Sequence, residues 1–327
     1  MKFRKVLFAV LGVAVTLAVA GPAGASLLID RNATDVKIEV DKQGRALLLY
    51  NADGLSRHVL VVGKGINALP PTKGAKQTTL TVDYGGGWGL YHQTTWKTFT
   101  NECKPYTGPK LAWFVAGCTA PDGSYWALQD FAQPLPDLGY DPWTPQQKAV
   151  WLELSHFNTA LPQLEVYQDW VYGGKFDEVF GRYTYLGKPI YGFGTTSVGA
   201  PTDSFGRLIY LDTFNSPAYG PGWHRENSFV PHNPSGIFCY GFFGFDPTKG
   251  GYIHPPGQTA FRQPGVGSQY RITAEGPGLM PDVEWTGTAL GPFDATNQQD
   301  VQLQQQMDQK LTQIANGDKS CNGGHFD

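Results

Sequence analysis

Between Tyr210 and His254 the chain carries eleven aromatic side chains and three of its seven histidines, against an aromatic share of 13% overall. At the centre of that stretch runs Tyr219-Gly220-Pro221-Gly222-Trp223-His224-Arg225-Glu226-Asn227-Ser228. Five consecutive residues from Trp223 to Asn227 supply an indole, an imidazole, a guanidinium, a carboxylate and an amide. The glycine and proline punctuation predicts a loop, and loops on a rigid β scaffold are where binding groups tend to be carried. Aromatic rings offer flat apolar area to the faces of sugar rings, while Arg, Glu, Asn and His offer orienting hydrogen bonds, the lining expected of a polar-ligand site. Tyr219, Trp223, His224, Arg225, Glu226, Asn227 and His232 are therefore the candidate binding residues. The opposing reading packs Trp223 into the core and leaves Arg225 and Glu226 as solvated charges. Trp88, set in Gly85-Gly86-Gly87-Trp88-Gly89, is a second candidate platform, because glycines on both sides leave its ring little local cover.

Covalent chemistry is harder to place. The chain has no His-Glu-x-x-His, no Gly-x-Ser-x-Gly, no phosphate-binding loop and no dinucleotide fingerprint, which weakens peptidase, lipase-type, nucleotide and dehydrogenase readings together. Glycoside hydrolysis needs only two carboxyl groups, ~5 Å apart for retention or ~6.5 to 9.5 Å for inversion. Glu165 and Asp169 on one predicted strand lie ~13 Å apart along the backbone, whereas Asp282 and Glu284 lie ~6.6 Å apart and make the better local pair. Glu226 is free to join any of these across the fold. His224 and His232 match no zinc spacing, so no metal and no cofactor is expected. Ser235-Gly236-Ile237-Phe238-Cys239, downstream of His232, resembles the Ser-x-Gly-Cys signature of exported wall-remodelling transpeptidases, with two residues between Gly236 and Cys239 where that signature has none. That resemblance implies a cysteine nucleophile at Cys239.

The address of the protein is clearer than its chemistry. Lys2, Arg4 and Lys5 precede an apolar run from Val6 to Ala20, and Ala23-Gly24-Ala25 has the small-x-small form that signal peptidase accepts. Residues 1–25 are read as a signal peptide cut after Ala25. The apolar run is shorter than the ~20 residues that span a bilayer, so no membrane span is expected in the mature protein. The cut leaves 302 of 327 residues and takes the formal net charge from −3 to −6. Four cysteines suit secretion, because an even count in an oxidising compartment reads as a disulfide framework. Cys103 and Cys118 flank a Gly/Pro-rich segment that favours a local bridge, which leaves Cys239 for Cys321; spacing alone leaves all three connectivities open. A pI of about 6.2 without a basic cluster beyond the N-terminus argues against a nucleic-acid partner.

The elements that position these groups are predominantly extended. Gly and Pro together occupy 41 and 24 positions, too many for a helical protein. Val36, Ile38 and Val40 alternate with Lys37, Glu39 and Asp41, followed by turns at Lys42-Gln43-Gly44 and Asp53-Gly54, the pattern of a three-stranded meander. Further strands are predicted over 79–84, 90–99, 111–115, 124–131, 150–154, 164–172, 182–186, 189–193, 207–211, 236–243, 269–273 and 282–287. A Pro-rich stretch at 134–145 marks the best internal boundary. The predicted fold is mostly β, with antiparallel sandwich- or barrel-like units and a C-terminal α-helix. Its organisation is a signal peptide (1–25), an N-terminal β unit (26–135), an aromatic-rich β unit (136–292) and a helical tail (293–327). Helical spacing of Leu303, Met307, Leu311 and Ile314 predicts that helix over 298–316, with Gly317 as its C-cap and Cys321 pinning it down. Taken together, these features point to an exported protein that binds an extracellular or cell-envelope polysaccharide. A secreted glycan-cleaving or wall-remodelling enzyme is the first alternative, and a structural surface protein without a small-ligand site is the second.

Overall fold

A computed structural model describes residues 26–63, 78–132, 150–191, 194–195, 201–202, 209–216, 220–229, 231–232, 234–242, 245–246, 251–252 and 267–321. The predicted leader, the Pro-rich stretch and Tyr219 lie outside the described residues. Strand β1 (Leu27–Arg31) leads into a meander of β2 (Thr34–Val40), β3 (Ala46–Ala52), β4 (Leu55–Val62) and β5 (Thr81–Asp83), paired antiparallel in that order. The turn between β3 and β4 falls at Asp53-Gly54, both at positive φ, the backbone that a tight hairpin demands. Where extended chain is predicted over 90–99 the backbone coils instead, as the four-residue helix α1 (Trp88–Tyr91) and a 3-10 turn at Thr95–Lys97. The cause is local. The Asp83 carboxylate accepts the N–H groups of Gly85 and Leu90, both at 2.8 Å, and curls the chain around itself. Gly86 and Gly87 take positive φ there, and a Cβ at either would strike Trp96 or Thr95.

Strands β6 (Lys104–Pro105), β7 (Phe114–Thr119), β8 (Tyr125–Ala132) and β9 (Val150–Phe157) join β1 in a five-stranded sheet of order β1-β9-β8-β7-β6. Strands β8 and β9 pair along their whole length, from Tyr125 opposite Phe157 to Ala132 opposite Val150, so the sheet runs across the boundary expected near residue 135. Alternation gives this central sheet two buried faces. Trp126, Leu128, Leu152 and Leu154 pack on Leu48, Tyr50, Val59 and Val61 of the meander. Ala127 and Phe157 pack on the opposite side, against the second half of the chain. His156, in a strand as its sequence context suggests, stacks on Trp126 at 4.0 Å, and burial pushes its imidazole down to about 4.

That second half is built from β10 (Gln163–Val171), β11 (Phe176–Tyr185), β12 (Lys188–Pro189), a two-residue ladder of β13 (Gly194–Thr195) and β14 (Pro201–Thr202), then β15 (Ile209–Phe214), β16 (Trp223–Phe229), β17 (Ile237–Phe242), a second short ladder of β18 (Phe245–Asp246) and β19 (Gly251–Tyr252), and finally β20 (Gln269–Ala274) and β21 (Val283–Thr288). One sheet runs β10-β11-β12 with β17 also on β11, and another runs β16-β15-β20-β21. Their apolar faces share a core of Val179, Tyr183, Ile209, Leu211, Phe238, Phe242, Tyr270, Ile272 and Met280. Every pairing is antiparallel, and among the described residues no sheet closes into a barrel. Helix α2 (Gln298–Ala315) starts as predicted, with the Asn297 side chain accepting the Gln299 N–H at 3.0 Å. Its left-handed C-cap is Asn316, one residue before the glycine expected there. Leu311, Ile314 and Ala315 bury against Phe180 and Ile237, so the helix straps its own sheet.

Two disulfides lock these parts, Cys103 to Cys118 and Cys239 to Cys321. They close loops of 15 and 82 residues, and chain entropy makes them worth about 3 and about 4.5 kcal/mol respectively. Urea unfolding of the Cys239→Ser/Cys321→Ser protein is therefore expected to show the larger loss, and Cys103→Ser/Cys118→Ser the smaller. The opposite ranking would show that loop closure is not what these bridges contribute.

Candidate functional site

The stretch predicted as a binding loop is mostly strand: Trp223 to Phe229 forms β16, the edge of the sheet it shares with β15, β20 and β21. Period-two alternation divides this sheet. Ile209, Leu211, Tyr270, Ile272 and Ala274 enter the core. Tyr210, Asp212 and Phe214 of β15 face the other way, with Arg271 of β20 and Trp223 and Arg225 of β16 beside them. The register explains why Arg225 belongs to this set. A bulge between Leu211 and Asp212 pairs Leu211 with Asn227 but Asp212 with Arg225, which puts the guanidinium on the polar face.

Asp212 is the hub of that face. Its Oδ1 accepts from Arg225 Nε at 2.5 Å, and its Oδ2 accepts from Arg225 Nη2 at 3.2 Å and from Arg271 Nε and Nη2 at 3.0 and 2.7 Å. Burial alone would raise the Asp212 carboxyl, but the two guanidiniums outweigh burial and hold it below the usual carboxylate range. Each cation also covers a ring. Arg225 lies 4.4 Å from the Tyr210 centroid and Arg271 lies 4.6 Å from that of Trp223, whose indole leans on Phe214 at 5.1 Å. Tyr210 donates its hydroxyl to Glu275 Oε1 at 3.2 Å. Burial, then the Glu275 charge, lifts the Tyr210 phenol far above its ordinary range.

Trp223 and Arg225 are thus brought together, but not as a solvent-facing concave patch. Arg225 is buried in its bidentate pair and Trp223 is only half-exposed. His224 turns back to its own chain, with Nε2 3.0 Å from the Pro221 carbonyl. His232 belongs elsewhere: its Nδ1 lies 2.9 Å from Asp318 beyond the end of α2, and Ser235 Oγ donates to the same carboxylate at 2.6 Å. The side chains of Glu226 and Asn227 lie outside the described residues, as does Tyr219. Asp212, Arg271 and Tyr210 escaped the sequence reading. For Asp212 and Arg271 the signal was a charge within a strand-patterned segment, Asp212 in Ile-Tyr-Leu-Asp-Thr-Phe and Arg271 in Gln-Tyr-Arg-Ile-Thr-Ala; Tyr210 carried none.

Trp88 has the surroundings its flanking glycines predict. The indole on α1 is 59% exposed, and Tyr84, Leu90 and Tyr91 on the same short segment are also exposed. His92 meets the indole edge-on at 6.1 Å, and Arg45 reaches to 5.9 Å from the Tyr91 ring. Beneath them Trp96 stacks on His58 at 3.9 Å and anchors the segment to β4. An open aromatic surface on a hydrogen-bonded loop can stack against flat apolar faces with little reordering.

The carboxylate pairs fare differently. Asp282 does not work with Glu284; it meets Glu153 of β9, and burial followed by their mutual interaction raises the Glu153 carboxyl well above its ordinary range. At 4% and 1% exposure for Glu153 and Asp282, the pair is closed to substrate. Glu165 sits 3.5 Å from Arg182 in a surface ion pair. Cys239 is consumed by its disulfide, so no thiol faces His232 and the implied cysteine nucleophile is absent. Among the described residues no three His, Cys, Asp or Glu side chains are grouped to hold a metal ion, and no helix is long and apolar enough to cross a membrane. Comparison with known protein families, curated proteins and solved structures finds no match.

Asp212→Asn should cost about 3 to 5 kcal/mol in urea unfolding at neutral pH, because it leaves two guanidiniums without their counter-charge. Arg271→Gln, at the more open end, should cost less. Because the folded Asp212 carboxyl is held low, its contribution is present above the ordinary carboxylate pKa of about 3.9 and is lost as pH falls below it. The Asp212→Asn protein should therefore lose less stability than the native chain on acidification from pH 5 to pH 3; an unchanged acid limb would remove Asp212 from the role assigned to it.

Proposed function

We propose that this chain is an exported protein that binds an extracellular or cell-envelope polysaccharide, with the Trp88 surface as its principal contact. One observation carries the reading: a large indole left 59% exposed by folding, on a segment whose other large side chains, Tyr84, Leu90 and Tyr91, are open as well. Contiguous exposed apolar surface on a secreted domain marks an interaction site, and flat rings suit the apolar faces of pyranose units. The loop is preorganised by the Asp83 bonds, so little ordering entropy is lost when a ligand docks. Trp223 is the secondary contact, its ring backed by Phe214 and Arg271. Export is supported by the leader-like first 25 residues and by two closed disulfides, which suit an oxidising compartment.

Retention of the mature protein on insoluble polysaccharides and on cell-wall sacculi tests this. Native protein is expected to be held, Trp88→Ala to bind about tenfold or more weakly, and Trp223→Ala to lose less, with all three giving the same circular dichroism. Equal retention of native and Trp88→Ala protein, or no retention at all, would overturn the proposal.

A further inference from the structure

Ser26 is the residue that the predicted cut leaves at the N-terminus, and it is 2% exposed. Its Oγ touches the Glu153 carboxylate and lies 2.9 Å from Asp282 Oδ2. Register explains the contact, because β1 sets Leu28 opposite Glu153 and so brings Ser26, two residues earlier, to the same face. Among the described residues neither Glu153 nor Asp282 has a cationic partner. The other titratable groups facing this seam are Glu275 after β20 and Tyr210 on β15, with Arg225 on β16 beside Tyr210. Arg225 and Arg271 are already bound to Asp212. A pair of carboxyl groups sealed from water needs a proton or a cation, and no solute reaches this one.

We propose that signal-peptide removal supplies that cation: the α-ammonium created on Ser26 is the buried counter-charge of Glu153 and Asp282. Two independent observations converge on it, the small-x-small motif ending at Ala25 and the inward aim of the very next side chain. The inference rests on the export reading for the position of the cut. Hydrolysis adds water across the Ala25–Ser26 peptide bond, so that Ala25 leaves as a carboxylate and Ser26 as an amine, which takes a proton from water at neutral pH. Covalent geometry keeps the α-nitrogen within about 3 to 4 Å of Oγ, so that, once freed from its peptide bond, it can turn toward the carboxylates that Oγ already touches. Before the cut that nitrogen is a neutral amide with one N–H; afterwards it is a cation with three. The leader-bearing chain can close this seam only by protonating it, whereas the processed chain closes it with charge. Cleavage thereby favours the folded state on the outer side of the membrane.

The sign of the pH dependence follows. Burial raises both carboxyl groups, so without the ammonium their contribution is intact below pH about 4 and is lost as pH rises towards neutrality. With the ammonium the loss is offset until the amine itself deprotonates, above its ordinary value of about 8. Three proteins are compared by thermal and urea unfolding: the chain beginning at a free Ser26, the same chain N-acetylated, and the chain extended by Ala25. At pH 7 the free-amine protein should melt several degrees above the other two, and that advantage should be lost at pH 4, where the carboxyls are protonated. In a Glu153→Gln/Asp282→Asn background the pH 7 advantage of the free amine should be abolished or reversed, because the ammonium has lost its counter-charges. Titration of the α-amine by NMR should place its pKa above 8 in the folded native chain. Equal midpoints at pH 7, or an amine that titrates at or below 8, would overturn the proposal. N-terminal sequencing of secreted protein separates the two layers: a start other than Ser26 removes the processing event, while a start at Ser26 with equal midpoints removes only the ion pair.

Discussion

One buried amide determines how the central sheet meets the sheet that carries Trp223. Gln129, fully enclosed on β8, donates Nε2 to the carbonyls of Asp282 at 3.1 Å and Ala112 at 2.8 Å, and accepts the Asp282 N–H on Oε1 at 3.1 Å. Its side chain thus pairs with the main chain of Asp282 much as a neighbouring strand would. Each of these groups, left unmatched in the interior, would cost about 1 to 3 kcal/mol, so the packing has little freedom to slide. Once Asp282 is fixed, its carboxyl lands on Glu153, and the start of β21 is set in register with β20 from Ala274 to Gln269. The polar face of that sheet, with Asp212 and its two arginines, is aimed by this one clamp.

Much of the fold was legible because alternation and turn chemistry agree with each other over short windows. The meander is an example, and so is α2, where the helical spacing of Leu303, Met307, Leu311 and Ile314 in a stretch without Gly or Pro points to helix. Errors fall where one residue overrules the local pattern. The segment 90–99 reads as strand because it is aromatic and Thr-rich, yet Asp83, seven residues upstream of Leu90, captures its backbone and winds it. Glycine and proline between Tyr219 and Trp223 suggest a loop through to Ser228, but six residues of β15 offer partners that extend the chain into β16. Turn residues locate where a chain reverses, not how soon pairing resumes.

The site shows the same division. Composition singles out Trp223 and Arg225 as candidate binding residues, yet it cannot tell a presented guanidinium from a locked one. The deciding residues, Asp212 and Arg271, lie 13 and 46 residues from Arg225 and reach it only through strand register. The Glu153–Asp282 pair is more remote still, whereas local spacing favours Asp282 with Glu284. Trp88 was easier to read, because its exposure follows from what its immediate neighbours lack.

Polar groups that hold the molecule together lie apart from the rings that stay open to solvent. Asp212, Arg225 and Arg271 satisfy one another, and a ligand competing for these charges would have to break a buried bidentate pair. Such a network fixes the orientation of a sheet face better than it recognises a solute. Trp88 has the opposite character, since it remains 59% exposed and its backbone is already held. Charge is thus confined to internal alignment, while the rings around Trp88 stay open to solvent.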